Sequence, residues 1–233
     1  MTRPIRLFAF LAALVIAGAC TGGGSAGSSR APASVPPASV PASIAPSSSA
    51  PSGSSAASSC PTTQPAALPA GEKRIITMDT AKGKVEVTVE AKLSPIAVGN
   101  FVALASCGFY DGVVFHRLVP GFVIQGGDPT GTGTGGPGYT IKDEPVTTTY
   151  RRGTVAMART MAPDSVGSQF FIVLDDNAGT ALADPAYNNY QIIGTVTAGM
   201  DVVDAIAAMP NAGPPGNEAT SPVAMDKVTV STP

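Results

Sequence analysis

Apolar and polar residues begin to alternate in the segment after residue 72. Residues 75–78 form one apolar-rich run, and Val85, Val87 and Val89 recur at a period of two. A period of two places successive side chains on opposite faces of a strand, so this pattern predicts two β-strands. Lys82-Gly83 lies between them and predicts the turn that joins them.

Two other segments carry apolar residues at helical spacing. The first begins at Ser94-Pro95, an N-cap residue followed by proline at the first helical position, and Gly108 is placed to end it. The second helix is predicted over residues 200–208. The residues expected to face inward are Ala97, Phe101, Leu104 and Ala105 in the first helix and Val202, Val203 and Ile206 in the second.

Short apolar runs separated by turn residues make up the rest of this region. They predict strands over residues 113–118, 122–125, 154–158, 169–173 and 191–196, with a closing strand around Val228 and Val230. Many short strands with two isolated helices, and no regular alternation of strand and helix, indicate a mainly β domain. The pattern itself leaves an antiparallel barrel and a sandwich open.

Residues 1–20 have the pattern of an export signal. Arg3 and Arg6 precede an apolar run over residues 7–16, which is shorter than the roughly 20 residues that a membrane-spanning helix needs. Small residues then lead to Cys20, an arrangement that resembles a bacterial lipobox. On this interpretation residues 1–20 are a lipoprotein signal peptide and Cys20 carries the lipid. The alternative is ordinary cleavage nearby, which would release a soluble protein.

Residues 21–70 are dominated by serine, proline, alanine and glycine. They carry almost no charge and few large aliphatic side chains, so they cannot bury enough apolar surface to offset the entropy cost of ordering. We therefore predict a disordered tether over residues 21–70 and one folded domain over residues 71–233.

Two cysteines remain once Cys20 is assigned to the lipid. In an exported protein two such thiols are more often paired than free, so we predict a Cys60–Cys107 disulfide. The cysteines and the single histidine, His116, do not have the spacing of a metal site. We expect no metal and no cofactor.

Charge and the sequence around the glycine-rich run exclude three classes of partner. A formal net charge of -2, with never more than two Lys or Arg residues in a row, argues against nucleic acid and anionic membrane surfaces, which need clustered cations. Residues 131–136 formally match G-x-G-x-x-G, but Pro137 and Gly138 follow and no helical pattern begins, so a dinucleotide site is excluded. We interpret this run as a long turn.

Three segments carry the most specific signal. They are FHRLVPGFVIQGGD at residues 115–128, GTVAMA at residues 153–158 and GSQFFI at residues 167–172. In this order and spacing they resemble the signature blocks of the cyclophilin family of peptidyl-prolyl cis–trans isomerases, and the resemblance extends over about residues 75–230. It implies a closed antiparallel eight-stranded β-barrel capped by two α-helices.

The resemblance also implies the chemistry. Prolyl isomerisation breaks no covalent bond, and its barrier of roughly 18–20 kcal/mol comes from amide resonance that is lost as the peptide twists. A site lowers the barrier by binding the twisted amide better than either planar isomer. The resemblance makes Arg117, Phe122 and Gln125 the catalytic residues, with Arg117 as the permanently charged donor. Phe122, Val123 and Phe171 would hold the proline ring.

The remaining residues would bind the peptide around this pocket. Gln125 and Gln169 would hydrogen-bond the substrate backbone and hold the arginine, and Ala158 would line the neighbouring groove. Taken singly, each residue has an ordinary structural explanation, such as a strand-end arginine or a core phenylalanine. The spacing of the set favours the functional interpretation. His116 is interpreted as structural, because alternation along a strand points it away from the face of Arg117.

The sequence departs from the family pattern near the groove. Arg159 stands where cyclophilins often carry Asn, and an extra cation there would repel basic substrates or favour acidic ones. The chain has no Trp, so Leu182 or a neighbouring residue is expected to fill the wall that a family Trp often forms, and Tyr190 to supply a ring. Loss of the Trp would weaken the binding of a cyclosporin-type ligand without stopping isomerisation.

These observations support an isomerase that acts on proline-containing exported or cell-envelope proteins as they fold. It would be exported as a monomer and anchored to the cell membrane only through its lipid, facing a periplasm or cell wall. The alternative is a non-catalytic module at the cell envelope that binds proline peptides or acts as a scaffold. Arg117 favours the enzyme, because a binding module has little need of it, whereas Arg159 and the missing Trp keep the binding module open.

Overall fold

A computed structural model describes residues 59–184 and 189–233 of the chain. The predicted signal peptide, the predicted lipidation site at Cys20 and residues 21–58 of the predicted tether lie outside the described residues. Among the residues that are described, no helix is long and apolar enough to cross a lipid bilayer.

Eight β-strands form a closed barrel. Each strand pairs antiparallel with its neighbours in the order β1-β2-β7-β5-β6-β4-β3-β8, and β8 returns to β1. This closure confirms the predicted fold class and decides between a barrel and a sandwich. The strands are β1 (Lys73–Thr80), β2 (Gly83–Glu90), β3 (Val114–Val119), β4 (Val123–Gly126), β5 (Thr154–Met157), β6 (Phe170–Val173), β7 (Ile192–Ala198) and β8 (Glu218–Ser231).

Three helices lie in the described part of the chain, where two were predicted. They are α1 (Pro95–Ser106), α2 (Asp176–Leu182) and α3 (Met200–Ala207). Helix α2 was not predicted, because seven residues are too few to show an apolar stripe. Its N-terminus is nevertheless capped, since the Asp175 side chain accepts a hydrogen bond from the backbone N–H of Asn177 at 2.7 Å.

The N-terminus of α1 is capped from a distant segment and not by Ser94. The Ser94 side chain makes no capping hydrogen bond. Instead, the carboxylate of Glu144 accepts the backbone N–H groups of Ile96 and Ala97, both at 2.9 Å. A carboxylate at this end of a helix is favoured by the helix dipole as well as by the unpaired N–H groups.

Aromatic side chains fill the barrel beside the strands that carry the signature motifs. Phe170 packs edge-to-face against Phe101 and Phe115, with ring centroids 5.2 Å and 6.1 Å apart. Tyr110 is fully buried, and its hydroxyl donates to the Ser168 carbonyl at 2.9 Å. Burial raises the pKa of Tyr110 well above its usual value, so the hydroxyl remains a donor. This core fixes β3, β4 and β6 relative to one another.

Strict alternation fails in β3. A β-bulge lies between Phe115 and Arg117 in the pairings with both β4 and β8. As a result Phe115 and Leu118 both belong to the barrel core although three positions separate them. The alternation that predicted opposite faces for His116 and Arg117 therefore does not hold here.

Residues 59–70, which composition assigned to the tether, pack against the domain. Leu68 is buried, and its N–H donates to the Pro95 carbonyl at 2.9 Å. The segment lies directly on α1, because a Cβ added at Gly99 would come within 2.3 Å of the Ala66 carbonyl oxygen. A disulfide joins Cys60 to Cys107 at the end of α1. The composition of these residues predicted a tether, because composition alone cannot show that one leucine is buried or that one cysteine forms a disulfide.

We predict that the disulfide stabilises the folded domain. Because the bonded cysteines are 47 residues apart in sequence, the bond restricts the unfolded chain, and replacing both cysteines with serine should lower the free energy of unfolding by about 2–4 kcal/mol. Urea denaturation of the variant beside the reduced and oxidised wild-type chain measures this difference. Equal midpoints for all three samples would contradict the prediction.

Candidate active site

One cavity of about 320 Å³ lies on the outside of the barrel. The structure brings nine of the ten predicted catalytic and substrate-binding residues to its wall, and Gln169 lies beside it in a second cavity. We call the first cavity the apolar pocket. Its lining residues are Arg117, Phe122, Val123, Gln125, Ala158, Arg159, Phe171, Ala181, Leu182 and Tyr190.

The second cavity, which we call the adjoining cavity, has a volume of about 660 Å³. It shares Gln125, Ala158 and Arg159 with the apolar pocket. Residues 133–140 form one side of it, and the rest of its lining comes from residues 158–160, 165 and 167–169. The glycine-rich run that was interpreted as a long turn is therefore one wall of a groove.

The β3–β4 hairpin places Arg117 at the pocket. Arg117 pairs with Gln125 across the two strands. Its guanidinium donates through Nε to the Gly216 carbonyl at 3.1 Å and through Nη1 to Gln125 Oε1 at 3.4 Å. Both acceptors are neutral, and no ion pair of the described residues includes Arg117. The group is oriented while its charge remains available to the pocket.

A chain of amide hydrogen bonds extends from Arg117 to the glycine-rich turn. Gln125 Nε2 donates to Gln169 Oε1 at 2.9 Å. Gln169 Nε2 in turn donates to the carbonyls of Gly133 and Gly135, at 3.0 Å and 2.9 Å. Each amide thus has its orientation fixed by the next, and the last one rests on backbone atoms of the turn.

A buried carboxylate that the sequence analysis did not single out organises this turn. Asp128 accepts the backbone N–H groups of Thr130, Thr132, Gly133 and Gly135 at 2.6–3.1 Å. Burial alone would raise the pKa of Asp128, but these hydrogen bonds, led by that of Gly135, hold the pKa far below its usual value. No local pattern reveals this role, since an Asp before a glycine-rich run is equally typical of a surface turn.

Aromatic and aliphatic side chains form the floor of the apolar pocket. Val123 and Phe171 are almost fully buried, and the Phe171 ring meets Tyr190 edge-to-face with centroids 5.3 Å apart. Tyr150, which no pattern indicated, holds the backbone of Tyr190. Its hydroxyl donates to the Tyr190 carbonyl at 2.9 Å and accepts the Tyr190 N–H at 3.1 Å. Burial raises the pKa of Tyr150 to about 12, so this donor stays protonated.

Helix α2 supplies the pocket wall for which no Trp is available in this chain. Leu182 lies at its C-terminal end and belongs to the same hydrophobic cluster as Val123 and Phe171. Its neighbour Ala181 also lines the pocket. Leu182 is at the predicted place, and a short helix positions it.

Arg159 lines both cavities, but its charge is already engaged. Its Nη1 lies 3.0 Å from Asp143 Oδ2, and only 9% of the side chain is exposed. Nε and Nη2 donate to the carbonyls of Thr160 and Ala162 at 3.2 Å and 2.8 Å. The free cation expected at this position is therefore neutralised by a carboxylate.

His116 is buried beneath the glycine-rich turn, where a Cβ added at Gly133 would lie 3.7 Å from its Nε2. Burial lowers the pKa of His116 by more than the nearby Asp128 carboxylate raises it, and the Arg117 cation lowers it further. The folded state thus favours the neutral ring. Its contribution to stability is complete above the unfolded pKa of about 6.5 and is lost as the pH falls through the lower folded pKa.

We therefore predict that the melting temperature falls as the pH drops from about 6.5 to 5, and that His116→Gln reduces this fall. His116 is the only histidine of the chain, so no other side chain of this type titrates in that window. Thermal unfolding at several pH values measures the slope. Identical slopes for wild type and His116→Gln would show that protonation of His116 does not cause the loss of stability.

The assembled site defines a class of protein before any comparison. An oriented, un-neutralised guanidinium lies beside an apolar pocket, next to amide side chains that hydrogen-bond one another. Such a site suits recognition of an apolar ring attached to a polarised amide, with charge stabilisation by a fixed donor.

Comparison with known proteins agrees with this class. The family described as cyclophilin type peptidyl-prolyl cis-trans isomerase/CLD matches residues 75–230. Peptidyl-prolyl cis-trans isomerase B of Bacillus subtilis is 46% identical over 121 residues, which cover 51% of this chain and 79% of that protein. The probable peptidyl-prolyl cis-trans isomerase A of Mycobacterium leprae is 39% identical over 175 residues, which cover 66% of this chain and 91% of the relative.

A solved structure has the same fold. The crystal structure of a Cryptosporidium parvum cyclophilin type peptidyl-prolyl cis-trans isomerase, in the presence of the dipeptide Ala-Pro, has a TM-score of 0.60 and 30% sequence identity. It matches over 68% of this chain and 99% of that chain. The chain described here belongs to the cyclophilin-type peptidyl-prolyl cis–trans isomerase family. It is an isomerase of X-Pro peptide bonds.

Proposed function

We propose that this isomerase assists the folding of exported or cell-envelope proteins while anchored to the membrane by a lipid on Cys20. The export pattern of residues 1–20 and the proline-rich composition of residues 21–58 support an anchored position outside the cytoplasm. The Cys60–Cys107 disulfide is also typical of an oxidising compartment. Uncatalysed X-Pro isomerisation takes tens of seconds or longer, so a catalyst there has clients to act on.

The available charge of Arg117 beside the apolar pocket is the observation that carries the catalytic mechanism. The proline ring of the client would rest on Phe122, Val123 and Phe171. The Arg117 guanidinium would then donate to the amide as it twists and its nitrogen gains electron density. No proton leaves the enzyme and no covalent intermediate forms. Binding the twisted amide more tightly than either planar isomer lowers the barrier.

The alternative of a non-catalytic module rested on Arg159 and on the missing Trp. Arg159 is paired with Asp143, so it does not place an extra free charge in the groove. Ala181 and Leu182 line the pocket from α2, so one wall is present without a Trp. Both observations favour the enzyme. We keep the expectation that the enzyme acts as a monomer and binds cyclosporin-type ligands weakly.

Refolding kinetics test the proposed role. The full chain is added to an exported protein whose refolding is limited by an X-Pro isomerisation, and the slow phase is expected to accelerate in proportion to enzyme concentration. The Arg117→Ala variant serves as the matched control, because it keeps the apolar pocket. A slow phase that the enzyme leaves unchanged, although the same enzyme isomerises a short peptide, would contradict the proposed client class.

Cell fractionation tests the anchor. When the full chain is produced in a bacterium that processes lipoproteins, we expect it in the membrane fraction, and the Cys20→Ser variant in the soluble exported fraction or retained with an uncleaved signal. Mass spectrometry of the mature N-terminus identifies the lipid. A wild-type protein that is released without lipid would support ordinary cleavage instead.

A further inference from the structure

Arg159 and Asp143 join the two sides of the adjoining cavity. Arg159 lies in the segment that lines one side, and Asp143 follows the segment that contributes Tyr139 and Thr140 to the other. The same two segments are paired through the backbone, since the Ile141 N–H donates to the Val166 carbonyl at 2.9 Å. The ion pair is therefore a second link between the two segments that line the cavity.

A second carboxylate, that of Asp164, also connects the two segments, because Asp143 and Asp164 each accept the backbone N–H of the other. The backbone N–H of Asp164 donates to Asp143 Oδ2 at 2.9 Å, and the backbone N–H of Asp143 donates to Asp164 Oδ1 at 2.9 Å. Lys142 Nζ lies 2.6 Å from Asp164 Oδ2. Two cations and two carboxylates thus face one another, and the group carries no net charge at neutral pH.

The Arg159 side chain also shapes the segment that follows it. Its two carbonyl acceptors, in Thr160 and Ala162, lie within the turn over residues 160–165. The Ser165 hydroxyl donates to the Ala162 carbonyl at 2.7 Å and closes the same turn. A planar guanidinium can make these contacts and the ion pair at once because its donors point in several fixed directions.

The adjoining cavity can discriminate between client side chains by their charge but not by their size. Its volume of about 660 Å³ falls in the range of roughly 300–1,000 Å³ that encloses drug-sized ligands, so a single side chain of any size fits. Among the described residues that line it, Arg159 is the one charged side chain, and Asp143 neutralises it. A charged client side chain entering the cavity would lose water without gaining an opposite charge.

We propose that Arg159 is a positioning residue whose ion pair with Asp143 fixes the turn over residues 160–165, which contributes Thr160 and Ser165 to the cavity wall, and keeps the adjoining cavity neutral. The isomerase then prefers clients with an uncharged side chain near the proline. This inference rests on the isomerase activity of the proposed function, and it reverses the expectation from sequence that Arg159 would favour acidic clients.

Two single variants are expected to shift specificity in opposite directions. The measurement is kcat and KM for X-Pro peptides that carry Phe, Glu or Lys, in one series directly before the proline and in another one residue earlier. Wild type should prefer Phe and treat Glu and Lys within about twofold of each other. Asp143→Asn leaves Arg159 unpaired, so the Glu-to-Lys ratio of kcat/KM should rise about three- to fivefold, through KM. Arg159→Asn leaves Asp143 unpaired and should lower the ratio by a similar factor.

The double variant Arg159→Asn with Asp143→Asn separates this role from general damage to the fold. Removing both charges should return the Glu-to-Lys ratio to the wild-type value, which loss of structure would not do. The Arg152–Asp204 pair, at 2.6 Å and lining neither cavity, provides the matched control, and Arg152→Asn and Asp204→Asn should leave the ratio unchanged. The shifts should shrink at high salt, because screening weakens interactions between partly exposed charges.

Opposite shifts in either peptide series support the inference. Equal losses for all three peptides, or shifts of the same sign in both single variants, would overturn it. Peptide Kd values are measured alongside the rates. A chain that binds these peptides without isomerising them would disprove the isomerase function, while the Kd ratios would still decide the role of Arg159.

Discussion

Replacing Arg117 with alanine is expected to lower kcat for prolyl isomerisation by about 100-fold, as the loss of one fixed transition-state donor typically does. In the structure the guanidinium is held by the Gly216 carbonyl and Gln125 Oε1, and no carboxylate of the described residues neutralises it. Its charge interacts most strongly with the twisted amide, so the loss should fall on kcat and much less on KM. A protease-coupled or NMR exchange assay with a short X-Pro peptide measures both constants.

Two further variants sharpen this test. Arg117→Lys keeps the charge but cannot reach both neutral acceptors, because an ammonium lacks the planar fork, and kcat should fall at least about tenfold. Arg152→Ala removes an arginine that pairs with Asp204 away from the pocket and should leave kcat within about twofold of wild type.

The melting temperature of Arg117→Ala should stay near that of wild type, because the residue borders the groove. An Arg117→Ala enzyme with more than half of the wild-type kcat would refute the assigned role, and a wild type no faster than the uncatalysed rate would support the binding module.

The sequence predicted the barrel well because its strands have local signals. Alternating valines and turn glycines indicate where β1 and β2 begin and end, and the helical stripe through Phe101 indicates α1. Helix α2 has too few residues for such a stripe. The bulge at His116 could not be predicted either. One extra residue in β3 changes the face of every later side chain of the strand, and no pattern in the sequence indicates it.

The site divides along the same line. Arg117, Phe122 and Gln125 could be predicted because they lie in one hairpin whose motif is contiguous. Asp128 and Tyr150 could not, because their importance comes from which distant atoms they contact in three dimensions. The ion pair of Arg159 could not be predicted either, because its partner Asp143 lies in a segment without a periodic apolar pattern from which its position could be inferred. Spacing therefore located the groups that would contact the client and the two glutamines beside Arg117, whereas only the fold located the more distant groups that hold the turn and the pocket wall.

Asp128→Asn is expected to lower the free energy of unfolding by about 3–5 kcal/mol, because several buried donors lose a charged acceptor at once. The carboxylate is fully buried and accepts four backbone N–H groups and the Thr130 hydroxyl. An asparagine offers one oxygen and turns an NH₂ group toward the remaining donors. The contact is too close for repacking, since even a Cβ at Gly135 would lie 2.1 Å from Asp128 Oδ1.

The same change should lower kcat about tenfold, because the turn that Asp128 organises holds Gln169 through the Gly133 and Gly135 carbonyls. Asp111→Asn is the matched control. Asp111 also accepts a backbone N–H, that of Val228 at 2.9 Å, and pairs with Lys227, but it lines neither cavity. We expect this control to cost about 1 kcal/mol and to leave kcat unchanged. Equal effects of the two variants on kcat would show that Asp128 does not act through the turn.

The pH dependence provides an independent check on Asp128. Its folded pKa lies far below the unfolded value of about 3.9, so its contribution to stability is complete above that value and is lost as the pH falls through the folded pKa. Wild type should therefore lose stability steeply below about pH 4, and Asp128→Asn should lose less over the same interval because it has no proton to take up at this position. Denaturant unfolding at pH 7, 5, 4 and 3 measures both slopes. Parallel slopes would mean that the turn donors do not hold the carboxylate in its charged form, and the explanation for the fixed position of Gln169 would fail with it.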